Sequence, residues 1–220
     1  MGIARNLEKR LERLADGLSA AIFRGRMHPV DLANRLVRQA DLMVTDGSTG
    51  PSIPNHFEVV VSEADLDPAV DTAQLTAELS HTLTATAADR GWRTGGPVSV
   101  DLATDPTVGR GSFKCTATAK PAGLPRWGEL AEHRGERRFD LADNRVLVGR
   151  SHEADVTLDN DEVSRQHAVL FQQGGRRWIT DLGSANGSSV NGVPLGAGPL
   201  EVGSGDMLSF GPTTFALRID

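Results

Sequence analysis

Residues 145–192 read RVLVGRSHEADVTLDNDEVSRQHAVLFQQGGRRWITDLGSANGSSVNG. Three short clusters stand out in this stretch. They are Gly149-Arg150-Ser151, then Ser164-Arg165-Gln166-His167, then the run from Asp181 to Gly192 with its two dipeptides Asn186-Gly187 and Asn191-Gly192. Each falls in or beside a turn, between segments that alternate as β-strands do. Arginine and serine are groups that bind a phosphate dianion. Asn-Gly forms a tight turn and leaves an amide free to donate. Loops at one end of a rigid sandwich can bring such groups together. The pattern predicts a phosphate reader and no catalyst.

Outward from this stretch, the chain after 137 shows almost no helical periodicity. Strands are expected over 145–148, 155–158, 167–171, 178–181, 188–190, 207–210 and 214–219, with turns at Gly174-Gly175, Asn186-Gly187, Asn191-Gly192 and Gly203-Ser204-Gly205. Regular short strands between glycine-rich turns predict an all-β sandwich or barrel over 137–220. Before it, Pro121, Gly123, Pro125 and Gly128 interrupt any period, and charges dominate after Glu129, so 121–136 reads as a linker. Trp127 is unusual there and is placed to dock on one domain.

The first 120 residues follow a different rhythm. Ile3, Leu7, Leu11, Leu14, Leu18 and Ile22 recur at helical spacing over 3–23, and Gly25 follows as a stop signal. Pro29 and Asp31 suit the first turn of a second helix, with Val30, Ala33, Leu36, Val37 and Ala40 as its apolar stripe. A loop over 47–54 and a strand over 57–61 come next. A third helix over 72–89 carries Leu75, Leu79 and Leu83 on one face and stops at Gly91. Strands over 98–102 and 113–118 complete an α+β domain of order helix, helix, strand, helix, strand, strand, ending near Lys120.

Composition narrows the function classes. The 220 residues carry a formal net charge of −6, which argues against bulk nucleic-acid binding. The single cysteine, Cys115, has no internal partner for a disulfide, which suits a reducing compartment. The start, Met1-Gly2-Ile3-Ala4-Arg5, lacks a signal-peptide core, and no apolar run is long enough to span a bilayer. A cytoplasmic location is expected. Arg5, Lys9, Arg10, Arg13, Arg24, Arg26, Arg35 and Arg38 make the first forty residues basic, offset in part by Glu8, Glu12, Asp16 and Asp31. That patch leaves an alternative open, in which the chain binds RNA or an acidic membrane surface through its N-terminal helices.

Other chemistry fares poorly. Ser164 and His167 have a hydrolase-like spacing, but the chain has no Gly-x-Ser-x-Gly elbow around Ser164. His167, entering a strand, reads as a support for loop backbone, leaving Ser164 free to donate to an anion. His152 lacks a second histidine four residues on, where Val156 stands, so no zinc helix forms. Asp159, Asp161 and Glu162 lack the later glycine and glutamate of a calcium loop. Gly109-Arg110-Gly111 and Gly203-Ser204-Gly205 complete no dinucleotide fingerprint. The expectation is no catalytic residue, no metal and no cofactor.

Together, the clusters closely resemble the forkhead-associated (FHA) domain, whose pattern is Gly-Arg, Ser-x-x-His, Asn-Gly and a closing Asn-Gly. The resemblance spans 137–220. It implies an eleven-stranded sandwich that binds phosphothreonine peptides. Arg150 and Ser164 then fall where the family contacts phosphate, Asn186 where it holds peptide backbone, and Arg165 where it adds positive charge. Ser184 and Gly187 complete the expected binding set, while Gly149, His167, Asn191 and Gly192 shape the loops. Ala185 departs from the threonine that many members place before the Asn-Gly. Residues 1–120 resemble the domain of unknown function that precedes an FHA domain in the actinobacterial FhaA group. The features are the 6–11 helix, the His28-Pro29-Val30-Asp31 helix start and the 51–61 passage. This second resemblance implies an adaptor in serine/threonine kinase signalling, linked to cell-wall synthesis or division. Its partners would be a kinase, or a phosphorylated pseudokinase domain of a membrane flippase that recruits the chain to the inner face of the membrane.

Overall fold

A computed structural model describes residues 28–66 and 71–220. The helix expected over 3–23 lies outside them. The chain divides into two units. The first runs through Thr45 and takes in Ser52–Arg90 and Thr94–Ala122. The second comprises Asp46–Pro51, Gly91–Arg93 and Gly123–Asp220.

In the first unit, helix α1 (Pro29–Leu42) begins where sequence places it. His28 caps it, its Nδ1 accepting the Val30 N–H at 3.3 Å, and Pro29 needs no N–H in the first turn. Its buried stripe is Leu32, Ala33, Leu36, Val37 and Ala40, so Leu32 takes the place expected for Val30. Two three-residue strands, β1 (Thr45–Gly47) and β2 (Gly50–Ser52), pair at the start of the segment expected as a loop over 47–54, and residues 46–51 of this hairpin belong to the second unit. Strand β3 (His56–Val61), helix α2 (Thr72–Arg90), β4 (Ser99–Thr104) and β5 (Phe113–Thr118) follow in the expected order. The sheet order is β4-β3-β5, with β3 parallel to β4 and antiparallel to β5. The parallel pair needs a crossover, which α2 supplies. Leu75, Leu79 and Leu83 of α2 are fully buried, as are Phe57 and Val59 of β3. Gly91 sits at φ 68°, the left-handed stop that a side chain would strain.

The second unit is a sandwich of eleven strands: β6 (Gly128–Glu132), β7 (Arg138–Leu141), β8 (Arg145–Gly149), β9 (Val156–Thr157), β10 (Ala168–Gln173), β11 (Arg176–Asp181), β12 (Ser188–Val190), β13 (Val193–Pro194), β14 (Leu200–Val202), β15 (Met207–Phe210) and β16 (Thr213–Ile219). One sheet has the order β14-β11-β10-β8-β9 and the other β13-β12-β15-β16-β6-β7. Between them lies a core that includes Leu130, Val146, Val148, Leu170, Ile179, Phe210, Phe215 and Leu217. In β16 the buried residues alternate, Thr213, Phe215 and Leu217, as a strand with one face inward requires. Strand β8 is buried on both faces. Val146 and Val148 point to the core, while Leu147 joins Ala154, Val169 and Phe171 in a smaller outer cluster.

The linker reading of 121–136 needs correction. Residues 128–132 are strand β6, paired with β16 and β7 in the six-stranded sheet. Leu130 is fully buried, and the Trp127 indole sits in the same core, donating to the Asp143 carbonyl at 2.9 Å. The charges that suggested a linker lie on the rim. Glu129 is bridged by Arg126, Arg138 and Arg218, and Glu132 by Arg137.

Candidate functional site

The connections β8–β9, β10's entry and β11–β12 meet at one end of the sandwich. Gly149 ends β8 against the incoming loop, where a Cβ would overlap the Arg165 carbonyl oxygen and stand 3.1 Å from that of Ser164. Only glycine permits that approach. It lets the Arg150 amide donate to Ser164 O at 3.0 Å and the Ser151 amide to Arg165 O at 3.2 Å. Arg150, Ser151, His152, Glu153, Ser164, Arg165 and Gln166 thereby line one open cleft of about 880 Å³.

His167 is fully buried and holds the loops from beneath. Its Nδ1 accepts the Ser164 N–H at 3.1 Å, and its Nε2 donates to the Gly187 carbonyl at 3.0 Å. Those partners fix the tautomer with the proton on Nε2. Phe210 meets the ring edge-on at 6.0 Å. Asp181 organises the third loop. Oδ1 accepts the Gly183 and Ser184 amides, each at 2.8 Å, and Oδ2 accepts the Ser184 hydroxyl at 2.7 Å and the Ser188 hydroxyl at 2.5 Å. Burial pushes the Asp181 carboxyl up. The hydrogen bonds from Ser188, Ser184 and Gly183 outweigh that and hold it below the usual carboxylate range.

The binding groups fall out as follows. The Ser164 hydroxyl accepts the Ala185 amide at 3.1 Å, which leaves its own proton to donate. Among the described residues, neither the Arg150 nor the Arg165 guanidinium has a hydrogen-bond or ion-pair partner, and both residues are exposed. Two guanidinium groups thus face the cleft against one carboxylate, Glu153. Such a set can hold a dianion by charge-assisted bonds. Asn186 is exposed and donates Nδ2 to the Glu162 carbonyl at 2.8 Å, which ties the second and third loops together. Gly187, at φ 73°, gives its carbonyl to His167 and to the Gly211 amide. Ser184 differs from expectation, because its hydroxyl proton goes to Asp181 and is not available to a phosphate. Asn191 and Gly192, at φ 52° and 80°, form the β12–β13 turn, with Val190 paired to Val193. Asn191 also bonds Asp206 and the Met207 amide, so this pair shapes structure at a distance from the cleft.

Residues 5–116 match the family model of the FhaA N-terminal domain, a little over half of the 220 residues. The chain belongs to this family. A second match, to the FHA domain, covers 146–211. The chain is 38% identical over 94 residues to the oxoglutarate dehydrogenase inhibitor of Corynebacterium diphtheriae, covering 41% of this chain and 62% of that protein. It is 36% identical over 74 residues to the glycogen accumulation regulator GarA of Mycolicibacterium smegmatis, covering 34% of this chain and 46% of that protein. The chain therefore spans less than two thirds of either relative. A crystal structure of the FhaA FHA domain complexed with the intracellular domain of Rv3910 aligns with 26% identity and a TM-score of 0.38, over 41% of this chain and 99% of that one.

In this FhaA-family chain the residue that sequence reasoning left without a role is Asp181. Its signal was present as Asp-Leu-Gly-Ser, a side chain followed by amides it can cap. Among the described residues, no helix is long and apolar enough to cross a membrane, and no three His, Cys, Asp or Glu side chains come together as a metal cage. Of the basic N-terminal residues, Arg35 donates Nη1 to the Gly111 carbonyl at 2.6 Å and lies 6.0 Å from the Phe113 ring centre. Those at positions 5–26 lie outside the described residues.

Proposed function

We propose that the chain is a phosphothreonine-peptide-binding adaptor without catalytic activity, working in serine/threonine kinase signalling. The observation that carries this reading is the pairing of two guanidinium groups, Arg150 and Arg165, without a partner among the described residues, with a Ser164 hydroxyl whose proton is free among them, all lining one open cleft. His167 and Asp181, the groups that could serve as base and acid, are occupied in holding backbone and hydroxyls. Membership of the FhaA family supports a link to cell-wall synthesis or division. In this reading the partner is a phosphorylated kinase or the phosphorylated cytoplasmic domain of a membrane protein, which draws a cytoplasmic chain to the inner face of the membrane.

Calorimetry with a degenerate phosphothreonine peptide library, beside the same library unphosphorylated, tests the reading. Binding confined to the phosphorylated library is expected. Equal binding of the two overturns it, as does a higher affinity for RNA that falls steeply with salt.

A further inference from the structure

Arg93 is distant in sequence from the phosphate-reading loops, yet it belongs to the same unit. Its guanidinium forks onto Asp155, Nη1 to Oδ2 and Nη2 to Oδ1, each at 2.7 Å. Nη2 also reaches Asp143 Oδ2 at 3.1 Å, and Nη1 donates to the Arg145 carbonyl at 2.8 Å. The backbone is fixed as well, with the Arg93 N–H donating to Pro51 O at 2.9 Å. All three charged side chains are about three quarters buried. A planar fork on a carboxylate in such surroundings is a strong and directional contact.

Asp155 is the last residue of the loop that begins with Arg150. Its Oδ2 also accepts the Leu147 N–H at 2.8 Å, so one carboxylate joins the strand entering the loop to the point where the loop leaves. Within the loop, Ser151 holds the Glu153 and Ala154 amides and the Thr157 hydroxyl. The loop is a small closed turn hung between two supports, the 164–165 backbone on one side and Asp155 on the other. Removing Arg93 would leave the Asp143 and Asp155 carboxylates sharing a half-buried corner without a cation. Burial already holds the Asp143 carboxyl above its usual range, Arg93 opposes that, and Asp155 adds to it.

We infer that Arg93 is a positioning residue for phosphopeptide recognition: by clamping Asp155 it fixes the 150–155 loop, and with it the Arg150 guanidinium, in the pose that meets the phosphate. The inference rests on the function proposed above for Arg150. Pre-set loops bind more tightly because less ordering is left to the moment of binding.

The test uses the full chain and two readouts. One is amide hydrogen exchange across 147–157, and the other is affinity for a degenerate phosphothreonine peptide library. Arg93→Gln is expected to weaken binding roughly tenfold, the scale of one lost charge-assisted contact, and to speed exchange in the loop. Adding Asp143→Asn to that variant removes one of the two facing charges and should restore much of the affinity. A residue that merely fills space would show no such rescue, and absence of rescue overturns the clamp. If Arg93→Gln does not fold, Arg93→Lys carries the test, since it keeps the charge and loses the fork, and an intermediate loss is expected. Parental affinity and parental exchange in either folded variant overturn the inference. A chain that binds no phosphothreonine peptide sinks the proposed function instead. The exchange pattern then still decides for Arg93, with faster exchange supporting the clamp and unchanged exchange overturning it.

Discussion

The Nδ1 atom of His167 accepts the backbone N–H of Ser164 at 3.1 Å. The same ring donates to Gly187, so a single buried imidazole sets the distance between the second and third loops. His167→Ala removes both bonds and opens a cavity beneath the site. It should cost about 3 kcal/mol of stability, read as a lowered urea midpoint, with phosphopeptide affinity falling as the loops loosen. A variant that keeps its midpoint would show that the ring is not the support described.

Gly149→Ala puts a methyl group into the Arg165 carbonyl. Neither backbone can give way without breaking the Arg150–Ser164 and Ser151–Arg165 bonds. A destabilisation of about 2 kcal/mol is expected, in the range of overpacking. Loss of peptide binding should accompany it, visible when both are measured on the same preparation.

Arg150→Ala should behave oppositely to these. Its side chain is exposed and supports nothing in the fold among the described residues. Thermal stability should stay at the parental value. Phosphopeptide affinity should fall by about 1.5–3 kcal/mol, the loss of a charge-assisted bond to the dianion. Calorimetry that finds affinity intact would remove Arg150 from the site.

Asp181 and the ligand titrate in separate ranges. The Asp181 carboxyl is held below its usual value in the folded chain, so its contribution to stability is complete above the unfolded value of about 3.9 and is lost as pH falls through the lower folded value. The stability gap between the parent and Asp181→Asn should be constant from pH 7 to about 5 and shrink only in stronger acid. Phosphothreonine takes up its second proton near pH ~6. A fall in affinity between pH 7 and 5 therefore belongs to the ligand. A denaturation series and a binding series over the same buffers separate the two.

Threonine should be preferred to serine. The FHA resemblance places the γ-methyl in a pocket between the loops, and a buried methyl is worth roughly 0.8 kcal/mol, about a 4-fold change in affinity. A rigid frame raises that figure, because phosphoserine leaves a void and keeps rotamer freedom. Ala185 lacks the hydroxyl common at its position, but its amide is bonded to Ser164 and holds the loop edge. Paired peptides differing only in that methyl give the measurement, and equal dissociation constants would mean that charge alone is read.

The sequence by itself determined β8, β10, β11 and β16 as short strands, because apolar runs bounded by glycine-rich turns are written locally; in β16 the burial alternates as well, while β8 is buried on both faces. It determined α1 and α2 for the same reason, through their caps and their leucine stripes. It also grouped Gly149-Arg150, Ser164, His167 and Asn186-Gly187, through their order and spacing, as the pattern that resembles the FHA domain. The tertiary structure alone decided that 128–132 is a strand. Its charged residues are stabilised by Arg138, Arg218 and Arg137 on a rim that exists only after β16 and β7 have paired with it. Only the folded chain could show that the Ser184 proton goes to Asp181, because the hydroxyl could equally have donated to an anion until its distance to the carboxylate was fixed at 2.7 Å. The place of Arg93 was likewise beyond local reading. An ion pair across 62 residues leaves no periodic trace, and it forms only because the fold brings Asp143 and Asp155 to one corner.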